Sequence, residues 1–313
     1  MKLKLARKSL IMSATVASLC LAMVSNARAD AFAQSILTIS NFRLLHANGT
    51  AFTPANFDIL DGVNSAHARA SLNGVSSVAP PQDISILSGL NPDVAHQFVG
   101  LPNPPRPENN FTPFPTPPAV PGTFGYADQF LTGSALAIGA TPAGATAQTR
   151  ADASLQVPGQ ASGDSDVGTS TTFSFTLGTD ETMTFAFDAT PFTQVYTTAG
   201  PATNAIARLS WSLNIVNQST GEVVYVFQPG ELNGTANASR TGTFPGLTTY
   251  NPGMLSFSAT SPLLNNFDVY QLTIQHNTLA NALQAAAIPE PATLALFGLG
   301  LLGMSAFKRR RTS

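Results

Sequence analysis

Apolar and polar residues alternate with period two along several stretches of this chain. From Ala145 to Val157, residues Ala145, Ala147, Ala151, Ala153, Leu155 and Val157 share one face. Thr146, Gln148, Arg150, Asp152, Ser154 and Gln156 fall on the other. The cleanest run puts Ala205, Ala207, Leu209, Trp211, Leu213 and Ile215 opposite Arg208, Ser210, Ser212 and Asn214. Shorter runs are Phe173-Phe175-Leu177, Phe185-Phe187 and Tyr270-Leu272-Ile274. This period marks strands with one buried face. Residues 35–45, 128–138, 222–228 and 254–260 read as further strands, with Ser219-Thr220-Gly221 as a hairpin turn. With no long amphipathic helix, the pattern predicts an all-β fold, an antiparallel β-sandwich of jelly-roll-like kind. Strand order stays open. Residues 277–287 read as a spacer, either a short helix or without regular structure.

Proline breaks the rhythm once. Nine prolines fall between Leu101 and Gly122, and proline cannot donate to a sheet ladder. The segment 101–122 is therefore expected to be a surface loop of polyproline II character covering one edge of the sandwich. We expect one domain, residues 30–287, carrying this long loop, and not two domains divided by it.

Charge is partitioned sharply along the chain. The formal net charge is −2, but most basic residues sit at the two ends. Between residues 30 and 287 there is no lysine, and six arginines face sixteen carboxylates, giving −10. Such a body is unsuited to nucleic acid, which takes clustered cations. Cys20, the single cysteine, lies in the N-terminal segment, so the body has no disulfide, reactive thiol or thiolate-bound metal.

Both ends read as targeting segments. Lys2, Lys4, Arg7 and Lys8 precede an uncharged stretch from Ser9 to Ser25, and Ala27-Arg28-Ala29 supplies a small-x-small cleavage pattern. Residues 1–29 are thus a predicted signal peptide cut after Ala29. At the other end, Pro289-Glu290-Pro291 precedes an uncharged stretch from Ala292 to Phe307, then Lys308, Arg309, Arg310 and Arg311. As a helix that stretch spans roughly 24 Å, a little short of a ~30 Å hydrocarbon core. The four cations would hold their end in the cytoplasm, so residues 288–313 read as a single membrane-inserted anchor.

This tail resembles the PEP-CTERM sorting domain of Gram-negative bacteria. The resemblance implies recognition of Pro289, Glu290 and Pro291 by an exosortase and passage through an inner-membrane intermediate. It also implies delivery to the cell surface or to an exopolysaccharide matrix. Signal peptidase and exosortase are then the partners during export, and extracellular polysaccharide is a candidate partner afterwards.

Chemistry is sparse. His46, His67, His96 and His276 have no metal-ligand spacing, and no nucleophile-elbow, zinc-protease or phosphate-loop pattern occurs. Asp164-Ser165-Asp166, inside Gly163 to Gly168, and Asp180 with Glu181, offer oxygens to Ca²⁺, but an Asp/Gly turn between strands explains the first better, since the rest of a calcium-loop pattern is lacking. No catalytic residue, metal ligand or cofactor is therefore assigned, with Ca²⁺ as the one weak candidate. Two readings of the body follow. One is a non-enzymatic surface or matrix protein; the other is a secreted carbohydrate-binding module or polysaccharide-active enzyme. Solvent-exposed aromatics on a concave sheet, or two close carboxylates in a cleft, would favour the second. Trp211, Tyr126, Tyr196, Tyr225, Tyr250 and Tyr270 are the aromatics that decide it, and Trp211 is expected in the core.

Overall fold

Residues 30–115, 122–156, 161–200 and 203–284 are described by a computed structural model, with backbone alone for 161–167. The predicted signal peptide and C-terminal helix lie outside these residues. Among the described residues, no helix is long and apolar enough to cross a membrane.

The chain forms strands β1 (Ala31–Leu45), β2 (Phe57–Leu72), β3 (Val75–Val78), β4 (Gln82–Ser85) and β5 (Gln97–Pro102). Next come β6 (Gly122–Thr132), β7 (Ala145–Leu155), β8 (Ala161–Leu177), β9 (Thr184–Thr197) and β10 (Thr203–Asn217). The last are β11 (Glu222–Phe227), β12 (Ala238–Thr241), β13 (Gly246–Tyr250), β14 (Leu255–Thr260) and β15 (Tyr270–Gln284). All pairings are antiparallel. Sheet 1 runs β13-β9-β1-β7-β6-β5, with β14 also on β9; sheet 2 runs β11-β10-β15-β8-β2-β3, with β12 on β10 and β4 on β2. The two sheets form the predicted sandwich.

Side-chain size divides its interior into two zones. At one end, Phe42, Phe57, Phe175, Phe187, Trp211 and Leu213 belong to a bulky aromatic and aliphatic cluster. Trp211 is 1% exposed, with its ring 4.6 Å from that of Phe187. At the other end the inward positions are mostly alanine, including Ala33, Ala68, Ala70, Ala153, Ala205, Ala207, Ala280 and Ala282. Alanines on facing strands let the sheets approach closely. Cα atoms of β15 come within 8 Å of those of β1 and β7 across the interface, against the ~10 Å usual between packed sheets. His276 is buried among polar neighbours from the opposite sheet. Its Nε2 lies 2.9 Å from Thr149 Oγ1 and 3.1 Å from the Leu37 carbonyl oxygen.

Several expectations need correction. Residues 277–284 are not a spacer but the second half of β15, paired with β8 and β10. The 163–168 segment is not a turn: its backbone is strand β8, with Asp164 opposite Ser71 and Asp166 opposite Arg69. The predicted strand at 128–138 begins earlier, at Gly122, and ends at Thr132. Strands β2 to β5, β12 and β13 have no counterpart among the predicted strands. The Pro-rich segment covers a face of sheet 1, and not an edge.

Candidate functional site

On the outer face of sheet 1, where β1, β7 and β6 lie side by side, side chains expected in solvent are buried. Arg150, Asp152 and Ser154 on β7, Gln34 on β1 and Asp128 on β6 are all fully buried. Residues 103–115 explain this: they cross the face as a strap. Phe114 from the strap packs edge-on against Phe32, with centroids 6.0 Å apart, and near Phe124 at 5.7 Å. The Arg106 guanidinium caps Phe114 from the other side, 3.9 Å from its ring centroid.

Beneath the strap the polar groups are arranged as clamps. Arg150 Nε donates to Asp152 Oδ2 at 2.6 Å, and both side chains are fully buried. Arg150 Nη1 donates to the strap carbonyls of Asn110 and Thr112 at 2.9 and 2.6 Å. Gln34 Nε2 donates to Asp152 Oδ1 at 2.7 Å, and Gln34 Oε1 accepts from the Phe114 amide at 3.1 Å. Asp128 Oδ2 accepts from the Asn109 amide at 2.7 Å and from the Tyr126 hydroxyl at 2.8 Å. With the Tyr126 hydroxyl, which also lies 3.2 Å from the Pro107 carbonyl oxygen, five strap backbone groups are held by four side chains of the sheet. An extended, proline-rich segment cannot satisfy its own amides and carbonyls, so partners from the sheet replace water.

Burial also sets the charge states. It pushes the Asp128 carboxyl up to about 6, against opposing hydrogen bonds from Tyr126 and Asn109. It likewise pushes Asp152 up, against the pull of Arg150, and it raises the Tyr126 hydroxyl. Across the interior, burial lowers His276 to about 3. Perturbed titrating groups of this kind often mark catalytic sites. Here Asp128 Oδ2 is turned to the strap amide of Asn109, Asp152 is held by Gln34 and Arg150, and the Arg150–Asp152 pair is sealed from solvent.

The other candidates are placed as follows. His46 Nδ1 lies 2.6 Å from Glu181 Oε2 and its ring stacks on Phe52. Asp180 Oδ1 accepts from the Asn266 amide. Among the described residues no three His, Cys, Asp or Glu side chains gather as a metal group would need. Trp211, Tyr126 and Tyr270 are buried, and Tyr196, Tyr225 and Tyr250 are partly buried. Alternation alone does not disclose the clamp, because it gives β7 one wet face. One signal was available: oppositely charged Arg150 and Asp152 at i and i+2, in a chain whose long apolar loop needed a surface to lie on.

The predicted sorting residues Pro289, Glu290 and Pro291, the cations Lys308 to Arg311, and the cleavage residues Ala27 and Ala29 lie outside the described residues. No curated protein matches the chain. The PEP-CTERM protein-sorting motif matches residues 287–311, which include Pro289-Glu290-Pro291 and the four cations. The chain therefore carries a PEP-CTERM sorting motif, and this implies an exosortase-sorted, extracellular protein.

Proposed function

We propose that the chain is a non-enzymatic protein of the cell surface or extracellular polysaccharide matrix, exported with a cleaved signal peptide. It is held briefly in the inner membrane by residues 288–313 and handed on by an exosortase. The match at residues 287–311 carries this reading. Two features of the body support the non-enzymatic part. Its strongly shifted carboxyls, Asp128 and Asp152, are committed to hydrogen bonds under the strap. Its tryptophan is buried and its tyrosines are buried or partly buried, so none of them stands free as a platform for sugar rings. An acidic, lysine-free body suits a soluble secreted domain.

Fractionation of producing cells tests the reading. An epitope tag placed in the turn Asn73-Gly74 should appear in the surface or matrix fraction of wild-type cells. It should accumulate in the inner membrane of an exosortase-deficient strain. Equal distribution in the two strains would contradict the proposal.

A further inference from the structure

The outer face of sheet 2 carries an open groove of about 540 Å³. It lies across four neighbouring strands. In register, His67 of β2 stands opposite Gly168 of β8, Gly168 opposite Asn277 of β15, and Asn277 opposite Ser210 of β10. Three inter-strand steps of about 4.8 Å make this row roughly 14 Å long. Arg208, two residues before Ser210 on the same face of β10, also lines the groove. Residues 228–237 form a wall along β10.

That wall is fixed by asparagine side chains. Between the stretches paired with β11 and β12, Asn233 Oδ1 accepts from the Trp211 amide at 3.1 Å. Its Nδ2 donates to the Trp211 carbonyl at 2.8 Å. Asn237 Oδ1 accepts from the Leu209 amide at 3.2 Å. The two side chains stand in for a missing strand at this edge.

What the groove offers is specific. The side chains of Arg208, Ser210 and Asn277 make no hydrogen bond or ion pair among the described residues. Among the described residues, no Asp or Glu lines the groove, although the body as a whole carries −10. Gly168 lets the Asn277 and His67 side chains close over it as the floor: a Cβ there would lie 1.9 Å from Asn277 Oδ1 and 2.8 Å from His67 Cε1. A guanidinium presents a planar fork of donors suited to a carboxylate. Amide and hydroxyl groups beside it match the donors and acceptors of a sugar.

We infer that this groove binds a short saccharide bearing a carboxylate, a uronic-acid unit, with Arg208 on the carboxylate and Asn277 and Ser210 on ring hydroxyls. The inference deepens the matrix reading by naming a ligand class, yet it can fail while the sorting reading stands.

The test is calorimetric titration of the full-length chain in detergent with a trisaccharide of galacturonic acid and, separately, with neutral maltotriose. The acidic sugar should bind with a Kd below about 1 mM, at least about tenfold more tightly than the neutral one. Arg208→Gln, an exposed change, should remove that tenfold preference and leave the melting temperature unchanged. Asn277→Ala should weaken both sugars. The inference is overturned by any of three results: no binding of the acidic sugar at 10 mM (about 10 times the expected Kd), equal affinity for both sugars, or unchanged binding by Arg208→Gln. None of these results bears on where the protein is exported, which fractionation of the exosortase-deficient strain decides.

Discussion

Trp211, with Phe187 and Phe42 against its ring, is the side chain whose truncation leaves the largest hole in the core. Trp211→Ala should cost roughly 3–5 kcal/mol, read as a lower urea midpoint at unchanged slope. A wild-type midpoint would contradict the packing. Arg150 makes a different prediction. Arg150→Ala leaves Asp152 buried without its cation and two strap carbonyls without a donor. Removing one partner of a buried pair costs about 3–5 kcal/mol. The double variant Arg150→Met with Asp152→Leu should recover only part of that loss: the pair's desolvation disappears, but the two strap carbonyls and Gln34 Nε2 stay without partners.

Acid stability separates two buried groups at the same scale. The folded pKa of His276 lies below its unfolded value of about 6.5, so the unfolded chain takes the proton first. Its contribution falls as pH drops from about 6.5 toward 3. The folded pKa of Asp128 lies above its unfolded value of about 3.9. The native state holds that proton, and stability is gained as pH drops from about 6 toward 3.9. The two slopes, each about 1.4 kcal/mol per pH unit, oppose one another between pH 6 and 4. His96, Glu108, Arg106, Arg150 and Asp152 stand around the Asp128 side and are common to all variants. Asp128→Asn should therefore lose about 2–3 kcal/mol between pH 7 and 4.5, while wild type changes little. His276→Gln should instead become more stable over that range. Denaturant melts at the two pH values check both signs, and parallel curves for the two variants would contradict the assignment.

At the scale of elements, the strap is the feature that departs most from a plain sandwich. It is bound by side chains of β1, β6 and β7 and by few contacts of its own. Arg150→Ala or Gln34→Ala should thus expose residues 103–115 to limited proteolysis before the sheets unfold. Cleavage elsewhere first would contradict the clamp. The elements also show what the sequence could and could not disclose. Alternation found β7, β10, the second half of β8, the start of β9 and the first half of β15, and in all of these but β7 bulky residues face the thick end of the core. The missed stretches are neighbours in space: 66–72 of β2, 161–169 of β8 and 276–284 of β15 pair side by side. They border the thin end, where the inward positions are mostly alanine. Inward Ala66, Ala68 and Ala70 do alternate with His67, Arg69 and Ser71, but alanine carries little hydrophobic signal and is depleted in strands. A composition of Ala, Ser, Gly and Asp therefore reads as turn or spacer. Burial of Arg150 and Asp152 was illegible for a related reason, since a second covering layer leaves no period of its own.

On the scale of the whole molecule, apolar burial between two sheets has to hold the body together without covalent staples. No cysteine lies between residues 30 and 284, and among the described residues no cluster of metal-ligating side chains occurs. EDTA and reducing agent should each leave the melting temperature within about a degree. A fall of many degrees with EDTA alone would restore a Ca²⁺ site to the account. The sorting signal, by contrast, was legible from local order alone: Pro-Glu-Pro, an uncharged span and a cationic end need no tertiary context. The motif match covers the same residues. Its consequence is chemical and can be weighed. Intact-mass spectrometry of the protein recovered from the extracellular matrix of producing cells tests the central claim most directly. The account predicts a chain that starts at Asp30 and has lost Lys308 to Ser313, and that is absent from the matrix of an exosortase-deficient strain. Matrix protein still carrying residues 308–313, in equal amount with and without the exosortase, would contradict it.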